Sequence, residues 1–317
     1  MMSEQTRPDR EDEAAVQIYI SADMEGITGL VDAVDVQPGG ADYERGRVMM
    51  TEDVNAAVRG ALTAGATRVV VNDAHGPMRN LLPDQLHPAA HLIRGRPKAM
   101  GMLEGLDGSF DATVCVGYHA RAGTLGVLSH SFMGHEIEDM WLDSYNVGEI
   151  GMVHATAAAL GAPVLVLTGD DAACAEISDW DPAVETVPVK RARGRFAAQL
   201  LPVGEARHAI ETSVAAAIEA ASGETVASVT TPTLGQGPAA PAAPGSPRSG
   251  GQSLSDRPTL AVRWQSASVA AMLLGIPGVT LRDSRTVQVT GTMPELFRLF
   301  SIFIYVAIPP GTTGPYC

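Results

Sequence analysis

The residues of this chain that could do chemistry follow hydrophobic runs. Runs of Val, Ile and Leu lead into the segments SADMEG, NDAHG, GYHA and TGDD. Asp23 and Glu25 are two positions apart, so on an extended backbone they point to the same side, where two carboxylates repel unless a cation neutralises them. His75 and His119 would add imidazole ligands, and mixed nitrogen and oxygen ligation suits zinc. Together with the other acids that follow these runs, such as Asp73, Asp170 and Asp171, there are five or more such ligands. Because that number exceeds the needs of one tetrahedral zinc, the pattern indicates a two-metal site.

Taken singly, each candidate has a simpler explanation. An isolated Asp-x-Glu pair is most often a solvated strand end, and an Asp after a strand most often caps a turn or a helix. A lone histidine is most often a turn or core residue. For His130, between Ser129 and Ser131, the residues alone leave the role open. These explanations apply in turn to Asp23 with Glu25, to Asp73, Asp170 and Asp171, and to His75, His119 and His154.

The elements that must position these residues alternate between strands and helices. Alternating or continuous apolar runs predict strands, and apolar residues at helical spacing followed by Gly65 or Gly161 predict helices. This order indicates an α/β fold, a mostly parallel sheet with helices on both faces. The carboxyl ends of parallel strands share one edge, so the candidates should meet there. The predicted strands are 16–21, 68–72, 112–117 and 163–168, and the predicted helices are 42–64 and 148–160.

The rest of the chain predicts a smaller second α/β part. Residues 232–257 are rich in Pro, Gly, Ala and Ser, which is typical of a flexible insertion or linker. We therefore predict four regions: a disordered tail over 1–14, a metal-binding catalytic domain over 15–190, the insertion, and a second, oligomer-forming domain. That last domain comprises 191–231 and 258–317, with strands predicted over 259–262 and 286–289 and helices over 204–221 and 266–274. A further strand is predicted over 184–189, at the end of the catalytic domain.

Composition excludes several partners. The 317 residues carry a formal net charge of −14, which argues against nucleic acid because phosphate binding needs clustered Lys and Arg. No apolar run reaches the roughly 18 residues of a membrane span. Leu299 to Ile308 comes closest. The polar start lacks the apolar core of a signal peptide, and the three cysteines form no CxxC pair, which favours a reducing compartment. We expect a cytoplasmic protein without membrane contact.

Several motifs together resemble those of the DppA-type D-aminopeptidases, a family of binuclear zinc peptidases with an S-x-D-x-E-G signature. The signature falls on residues 21–26, and the resemblance covers roughly residues 16–205. It is weaker through the insertion and returns in part over 276–287, whereas the end of the chain after Arg298 departs from the family. The matching segments are SADMEG, YERGR, VNDAHG, LIRG, MLEGLD, VGYHARAGTLGVLSHS, VGEIG, TGDD and VKRARGR.

The resemblance implies a site and an assembly. Its metal ligands fall on Asp23, Glu25, His75, His119 and Glu149, and its catalytic histidine falls on His130. From its position alone, Glu149 looks like a first-turn helix acid favoured by the helix dipole. The family implies two Zn²⁺ per subunit, a two-part α/β subunit and a ring-shaped homodecamer that admits short peptides.

The expected function is therefore a zinc-dependent aminopeptidase that releases N-terminal residues, with D-residues implied by the resemblance, from short peptides by means of a metal-activated water. Two alternatives stay open. One is a binuclear metallohydrolase acting on a different amide or ester. The other is a non-catalytic peptide-binding protein linked to peptide transport, against which the complete ligand set argues.

Overall fold

The computed structural model describes residues 16–223 and 254–308 of the chain, which form two sheets with helices around them. The strands are β1 (Val16–Ala22), β2 (Ala66–Asp73), β3 (Ala90–Ile93), β4 (Ala112–Tyr118), β5 (Ile137–Leu142), β6 (Tyr145–Asn146), β7 (Val164–Asp170), β8 (Glu185–Gly194), β9 (Ala197–Leu200), β10 (Thr259–Trp264), β11 (Thr280–Asp283) and β12 (Thr286–Thr290). The helices are α1 (Ala33–Val36), α2 (Tyr43–Thr63), α3 (Glu149–Ala159), α4 (Asp171–Trp180), α5 (Val203–Gly223), α6 (Ala267–Leu273) and α7 (Met293–Ala307).

The first sheet has the order β3-β2-β1-β4-β7-β8-β9, in which all neighbours are parallel except β8 and β9. It separates two hydrophobic cores. Side chains of α2 and α5 fill the core on one face, and side chains of α3, α4, α7 and the second sheet fill the other. This arrangement confirms the predicted α/β class with a mostly parallel sheet covered on both faces.

Strand β1 lies in the middle of this sheet and is buried on both sides. Ile18 and Ile20 enter the core formed with α2, whereas Tyr19 enters the opposite core. The alternation of apolar and polar residues in the sequence correctly predicts a strand. The polar members are buried too, because Tyr19 and Ser21 donate hydrogen bonds to backbone carbonyls of Glu104 and Met102.

The second sheet has the order β11-β12-β10-β5-β6 and is antiparallel. Its strands β5 and β6 come from within the predicted catalytic domain, 15–190. Helix α5 belongs to the predicted second domain, yet Ile210 and Val214 of α5 pack in one core with Val54 and Val58 of α2. The second sheet and the core beside α2 thus each combine segments from before and after residue 190. The division into two domains stays a prediction.

Helix α7 was not predicted, although its start and its packing follow ordinary rules. A capping box between Thr292 and Glu295 begins it, and Pro294 stands in its first turn. Phe297, Phe300 and Phe303 recur at helical spacing and are at most 1% exposed. The apolar run from Leu299 to Ile308 is therefore mainly the end of a core-packed helix. None of the helices within the described residues is long and apolar enough to span a membrane.

Two predicted regions fall wholly or largely outside the described residues. They are the N-terminal tail, 1–14, and the Pro- and Gly-rich insertion, of which 232–253 is not described. Residues 254–257, the last of the insertion, lie in coil just before β10.

Candidate metal centre

The carboxyl ends of β1, β2 and β4 bring three of the predicted site residues together. The three strands are neighbours, and Ala22 of β1 pairs with Asp73 of β2 and with Val116 of β4. Asp23, His75 and His119 follow these strand ends and lie at one edge of the sheet, as the parallel topology predicted. This edge is the position at which open α/β sheets bind ligands.

Two further candidates arrive from outside the strands. Glu149 is the first residue of α3, and His130 lies in the connection between β4 and β5. The backbone N–H of Phe132 donates a 2.6 Å hydrogen bond to Glu149 Oε1, which ties the His130 segment to the start of α3. The structure therefore places all six residues that the sequence and the resemblance singled out in one region.

The distances within this cluster are short. His119 Nε2 lies 3.3 Å from Glu149 Oε1 and 3.5 Å from Asp23 Oδ2. His75 Nε2 lies 3.3 Å from Glu25 Oε1, and His130 Nε2 lies 3.8 Å from Glu149 Oε1. None of the six residues is more than 5% exposed. Three acids and three imidazoles are thus buried side by side.

This donor set fits divalent metal. Ligand atoms of Asp23, His119 and Glu149 all lie within 4.8 Å of one another, and so do those of Glu25, His119 and His130. Among the described residues, Asp23 Oδ2, both Glu25 carboxylate oxygens and His119 Nε2 are buried and make no hydrogen bond. Buried polar atoms without a partner are costly, and a cation among them removes that cost. His75 approaches the cluster through Glu25 and belongs to neither group of three.

Backbone carbonyls fix the protonation pattern of two histidines. His119 Nδ1 lies 3.0 Å from the Ala120 carbonyl oxygen, and His130 Nδ1 lies 2.8 Å from the Leu128 carbonyl oxygen. Because a carbonyl only accepts, Nδ1 of each ring carries the proton. In its neutral form each ring turns the Nε2 lone pair toward the carboxylates, which is the arrangement found where a second partner orients a metal-bound histidine. The two rings stack with centroids 4.1 Å apart.

The electrostatics of the cluster are those of a site made for a cation. Burial, then the neighbouring Glu25 and Glu149 carboxylates, raise the pKa of Asp23 well above its ordinary value. Burial alone would lower the pKa of His119, but Glu149, Glu25 and Asp23 outweigh it and raise that pKa well above the ordinary range. Bound protons thus supply the positive charge that balances the buried carboxylates, and a bound metal would displace these protons.

His130 differs from His119 in its charge. Burial, followed by repulsion from the charge on His119, lowers the pKa of His130 below its ordinary value. His130 is therefore the neutral imidazole of the stacked pair at pH 7, with a free lone pair on Nε2. A neutral imidazole beside buried carboxylates suits proton transfer.

Two glycines and one lysine hold the loop that carries Glu25. Gly26 N–H donates to the Gly117 carbonyl at 2.8 Å, and a Cβ on Gly26 would lie 2.0 Å from the Tyr118 carbonyl oxygen. Gly117 has φ +75°, and a Cβ there would meet the Asp23 carbonyl oxygen at 2.4 Å. Lys190, which is 1% exposed, reaches from β8 and donates to three carbonyls of the same loop.

Of the three acids for which capping was the simpler explanation, Asp73 and Asp170 do cap, whereas Asp171 accepts a hydrogen bond from the Ala192 N–H. Asp73 accepts hydrogen bonds from the backbone N–H groups of Asn80 and Leu81, and Asn80 also donates to the His75 carbonyl. Asp73 therefore shapes the turn after His75. Asp170 caps α4 through the Ala173 N–H and accepts the Val127 N–H as well.

The cluster opens into a cavity whose other walls were not foreseen. Its volume is about 70 Å³. One wall is apolar and comes from α7, with Phe132 packed edge-on against Phe300 at 4.6 Å between centroids. Arg96 and Lys98 line it as well. The helical spacing of the phenylalanines in α7 could have revealed the helix, but no local pattern shows that it faces the candidate metal ligands.

The cluster is a buried set of carboxylates and imidazoles at the carboxyl edge of a parallel sheet, and it opens into a small cavity. This arrangement is typical of α/β metalloenzymes. A family model described as D-aminopeptidase (Peptidase_M55) matches residues 16–235. The chain belongs to this D-aminopeptidase family.

Individual relatives agree with that assignment. The chain is 40% identical to a D-aminopeptidase of Bacillus subtilis (strain 168) over 204 residues. This alignment covers 64% of this chain and 74% of the relative. It is also similar to the solved structure of the Zn-dependent D-aminopeptidase DppA from Bacillus subtilis, described as a self-compartmentalizing protease. That similarity has a TM-score of 0.80 at 31% identity and covers 94% of this chain and 100% of the other.

Proposed function

We propose that this chain is a zinc-dependent aminopeptidase that releases N-terminal D-amino acids from short peptides. One observation carries the proposal. Asp23, Glu25, His119, His130 and Glu149 supply two overlapping sets of ligand atoms, each within 4.8 Å, in a buried site at the base of a cavity. Family membership and the similarity to a zinc-dependent D-aminopeptidase support the same metal and the same reaction.

The proposed ligands are Asp23, Glu25, His75, His119 and Glu149, which would hold two Zn²⁺ per subunit. Their composition supports this number, because three carboxylates and two imidazoles exceed what one tetrahedral zinc takes. Zinc bound there supplies Lewis acidity for the peptide carbonyl and lowers the pKa of a coordinated water to about 7.

His130 is the proposed proton-transfer residue. Its Nδ1 proton is held by the Leu128 carbonyl, and its lowered pKa keeps the ring neutral at pH 7. Nε2 can therefore accept a proton during attack and return it to the leaving amine. The stacked ring of His119 keeps the imidazole of His130 in one orientation.

Carboxylates of the same cluster account for the choice of the peptide's N-terminus. A free amino group is a cation, and it could pair with a carboxylate oxygen of the cluster that the metals leave uncoordinated. An N-acylated peptide offers no such cation. Selectivity for D-residues rests on the relatives.

We also propose a ring-shaped homodecamer and a cytoplasmic location. The description of the similar structure as a self-compartmentalizing protease supports an oligomer of closed form. Light scattering of the purified protein tests the proposal, with a mass of ten subunits as the expected value.

The test of the proposed function combines metal content with stereochemistry. Two zinc ions per subunit by mass spectrometry, with hydrolysis of D-Ala-D-Ala much faster than of L-Ala-L-Ala, are the expected results. His119→Ala should lose both zinc and activity. His208→Ala is the matched control, because His208 is exposed on α5. Full activity of a metal-free preparation would defeat the proposal.

A further inference from the structure

The cavity beside the cluster holds a lysine whose hydrogen-bond partners are all neutral. Lys98 Nζ donates to Asn72 Oδ1 at 2.6 Å and to the Asp73 carbonyl at 2.7 Å. Its third contact, with the Ile93 carbonyl, measures 3.5 Å and lies at the outer limit of a hydrogen bond. Lys98 is 6% exposed and lines the cavity together with four of the five proposed metal ligands, Asp23, Glu25, His75 and Glu149. Its third hydrogen thus remains available to a ligand.

The charge of Lys98 is not cancelled by a direct ion pair. Among the ion pairs between described residues, none includes Lys98. Burial lowers the pKa of Lys98 to about 8, so the ammonium form predominates at pH 7. A buried cation fixed by two short hydrogen bonds and facing a cavity is preorganised to receive an anion.

The position of Lys98 suits one particular anion. Its partner Asp73 is two residues from His75, so the ammonium lies at the same strand end as the metal cluster. In a dipeptide, the terminal carboxylate belongs to the residue that leaves, and consecutive Cα atoms are only about 3.8 Å apart. A cation next to the reacting carbonyl therefore suits the carboxylate of a dipeptide better than that of a long peptide.

Two side chains of the cavity lining, Arg96 and Lys98, carry a positive charge that could attract an anion. Lys98 is the better candidate of the two because it is more deeply buried and two short hydrogen bonds fix its ammonium group.

We propose that Lys98 is a specificity-determining residue that binds the C-terminal carboxylate of a dipeptide substrate. This inference rests on the proposed peptidase activity and adds to it a reason for preferring peptides with a free and nearby carboxylate.

The experiment crosses one substitution with one change in the substrate. Zinc-loaded wild type and Lys98→Met are assayed on D-Ala-D-Ala and on its C-terminal amide, which lacks the negative charge. Wild type should favour the acid. Lys98→Met should lose about tenfold or more in kcat/KM on the acid, mostly through KM, and less than about threefold on the amide, since a hydrogen bond to a charged group is worth that much.

The matched control is Arg59→Met, which also removes one positive charge. Arg59 lies on α2, pairs with Glu211 and has no part in the site. This variant should cleave both substrates as wild type does. Arg96→Met adds a second comparison, and a carboxylate-dependent loss in that variant but not in Lys98→Met overturns the assignment to Lys98.

An equal loss on the acid and the amide, or no loss on either, also overturns the proposal. An equal loss on both substrates would mean that Lys98 has only a structural role, in which it stabilises the end of β2. If Lys98→Met does not fold, Lys98→Gln replaces it. Wild type alone also tests the proposal, because equal cleavage of the acid and the amide by the wild type would overturn it. Failure of the proposed function looks different, because zinc-loaded wild type would then hydrolyse neither substrate.

Discussion

The ammonium nitrogen of Lys190 lies 2.6 Å from the backbone carbonyl oxygen of Glu25, although the two residues are 165 positions apart. The same nitrogen donates to the carbonyls of Ile27 and Leu30 at 2.9 and 2.6 Å. One buried side chain thus gathers three carbonyls of the loop that carries two proposed metal ligands, Asp23 and Glu25. These three hydrogen bonds position the loop without using any of the proposed ligand atoms.

Replacing Lys190 with Met should weaken zinc binding. The variant keeps the length of the side chain but leaves three buried carbonyls without their donor, so the loop relaxes and Glu25 shifts. Loss of such an outer partner typically lowers metal affinity by about 10- to 100-fold. Competition with a chromophoric chelator measures the zinc dissociation constant directly.

The control for Lys190→Met is a variant that destabilises the fold elsewhere. Ile210→Ala removes a fully buried side chain between α5 and α2 and should cost about 2–5 kcal/mol of unfolding free energy. It should keep the zinc affinity of the wild type. Equal zinc affinities in the two variants would contradict the positioning role of Lys190.

Replacing Gly26 with Ala should abolish activity for a steric reason. The added Cβ would lie 2.0 Å from the Tyr118 carbonyl oxygen, a distance that no side chain tolerates, so the Asp23 to Glu25 loop must move away from β4. Gly204→Ala is the control. Nothing lies within 4 Å of a Cβ at Gly204, which stands in the first turn of α5, so that variant should match wild type or gain slightly in stability. Steady-state hydrolysis and bound zinc are the measurements, and an active Gly26→Ala enzyme would refute the steric argument.

Asp23 and Asp73 should respond differently to the same change. Asp73→Asn places an amide where a carboxylate accepts three hydrogen bonds from Asn80 and Leu81, so it should lower the unfolding free energy by about 1–3 kcal/mol. It should retain its zinc at saturating metal. Asp23→Asn should lose zinc without a comparable loss of apoprotein stability. Metal analysis and urea denaturation separate the two, and full zinc content in Asp23→Asn would remove Asp23 from the ligand set.

Glu176 should make stability depend on pH in an unusual direction. It lies on α4, its Oε2 accepts the Arg121 N–H at 2.8 Å, and burial raises its pKa from 4.5 to about 7. Between these two values the folded state holds the proton and the unfolded state does not. The contribution of Glu176 to stability is therefore full below pH 4.5, falls as the pH rises to 7 and is constant above that.

The substitution Glu176→Gln removes this dependence and keeps an acceptor for the Arg121 N–H. Its stability relative to wild type should increase between pH 5 and pH 8, by at most about 3 kcal/mol. Urea denaturation of both proteins at a series of pH values measures the difference. A difference that is the same at pH 5 and pH 8 would show that Glu176 is not protonated in the folded state.

Much of the fold follows from short-range patterns. Apolar runs located β1, β2, β4, β7 and β8. Helical spacing followed by Gly65 and Gly161 located α2 and α3, and the bounds of these two helices were predicted to within one or two residues. Short or amphipathic elements were missed, among them β3, β9 and β11, which lie at sheet edges or antiparallel turns. Helix α4 was also missed, although Asp170 was correctly interpreted as a possible cap.

The sequence by itself determined that Asp23, His75 and His119 gather at the candidate metal centre. Each of Asp23, His75 and His119 directly follows a buried strand, and parallel strands share a carboxyl edge, so local pattern and topology together were enough. Glu149 and His130 needed the family resemblance, because a helix N-terminus and a loop carry no comparable local signal.

Only the tertiary structure decided what surrounds that centre. Lys190 reaches Glu25 across two intervening strands, Lys98 enters the cavity from the connection after β3, and α7 closes one wall from the far end of the chain. Such contacts join residues that are 25 positions apart for Lys98 and Asp73 and 165 positions apart for Lys190 and Glu25, and a local sequence pattern does not reveal them. They depend on how sheets and helices pack around the two cores, which is fixed by the whole chain at once.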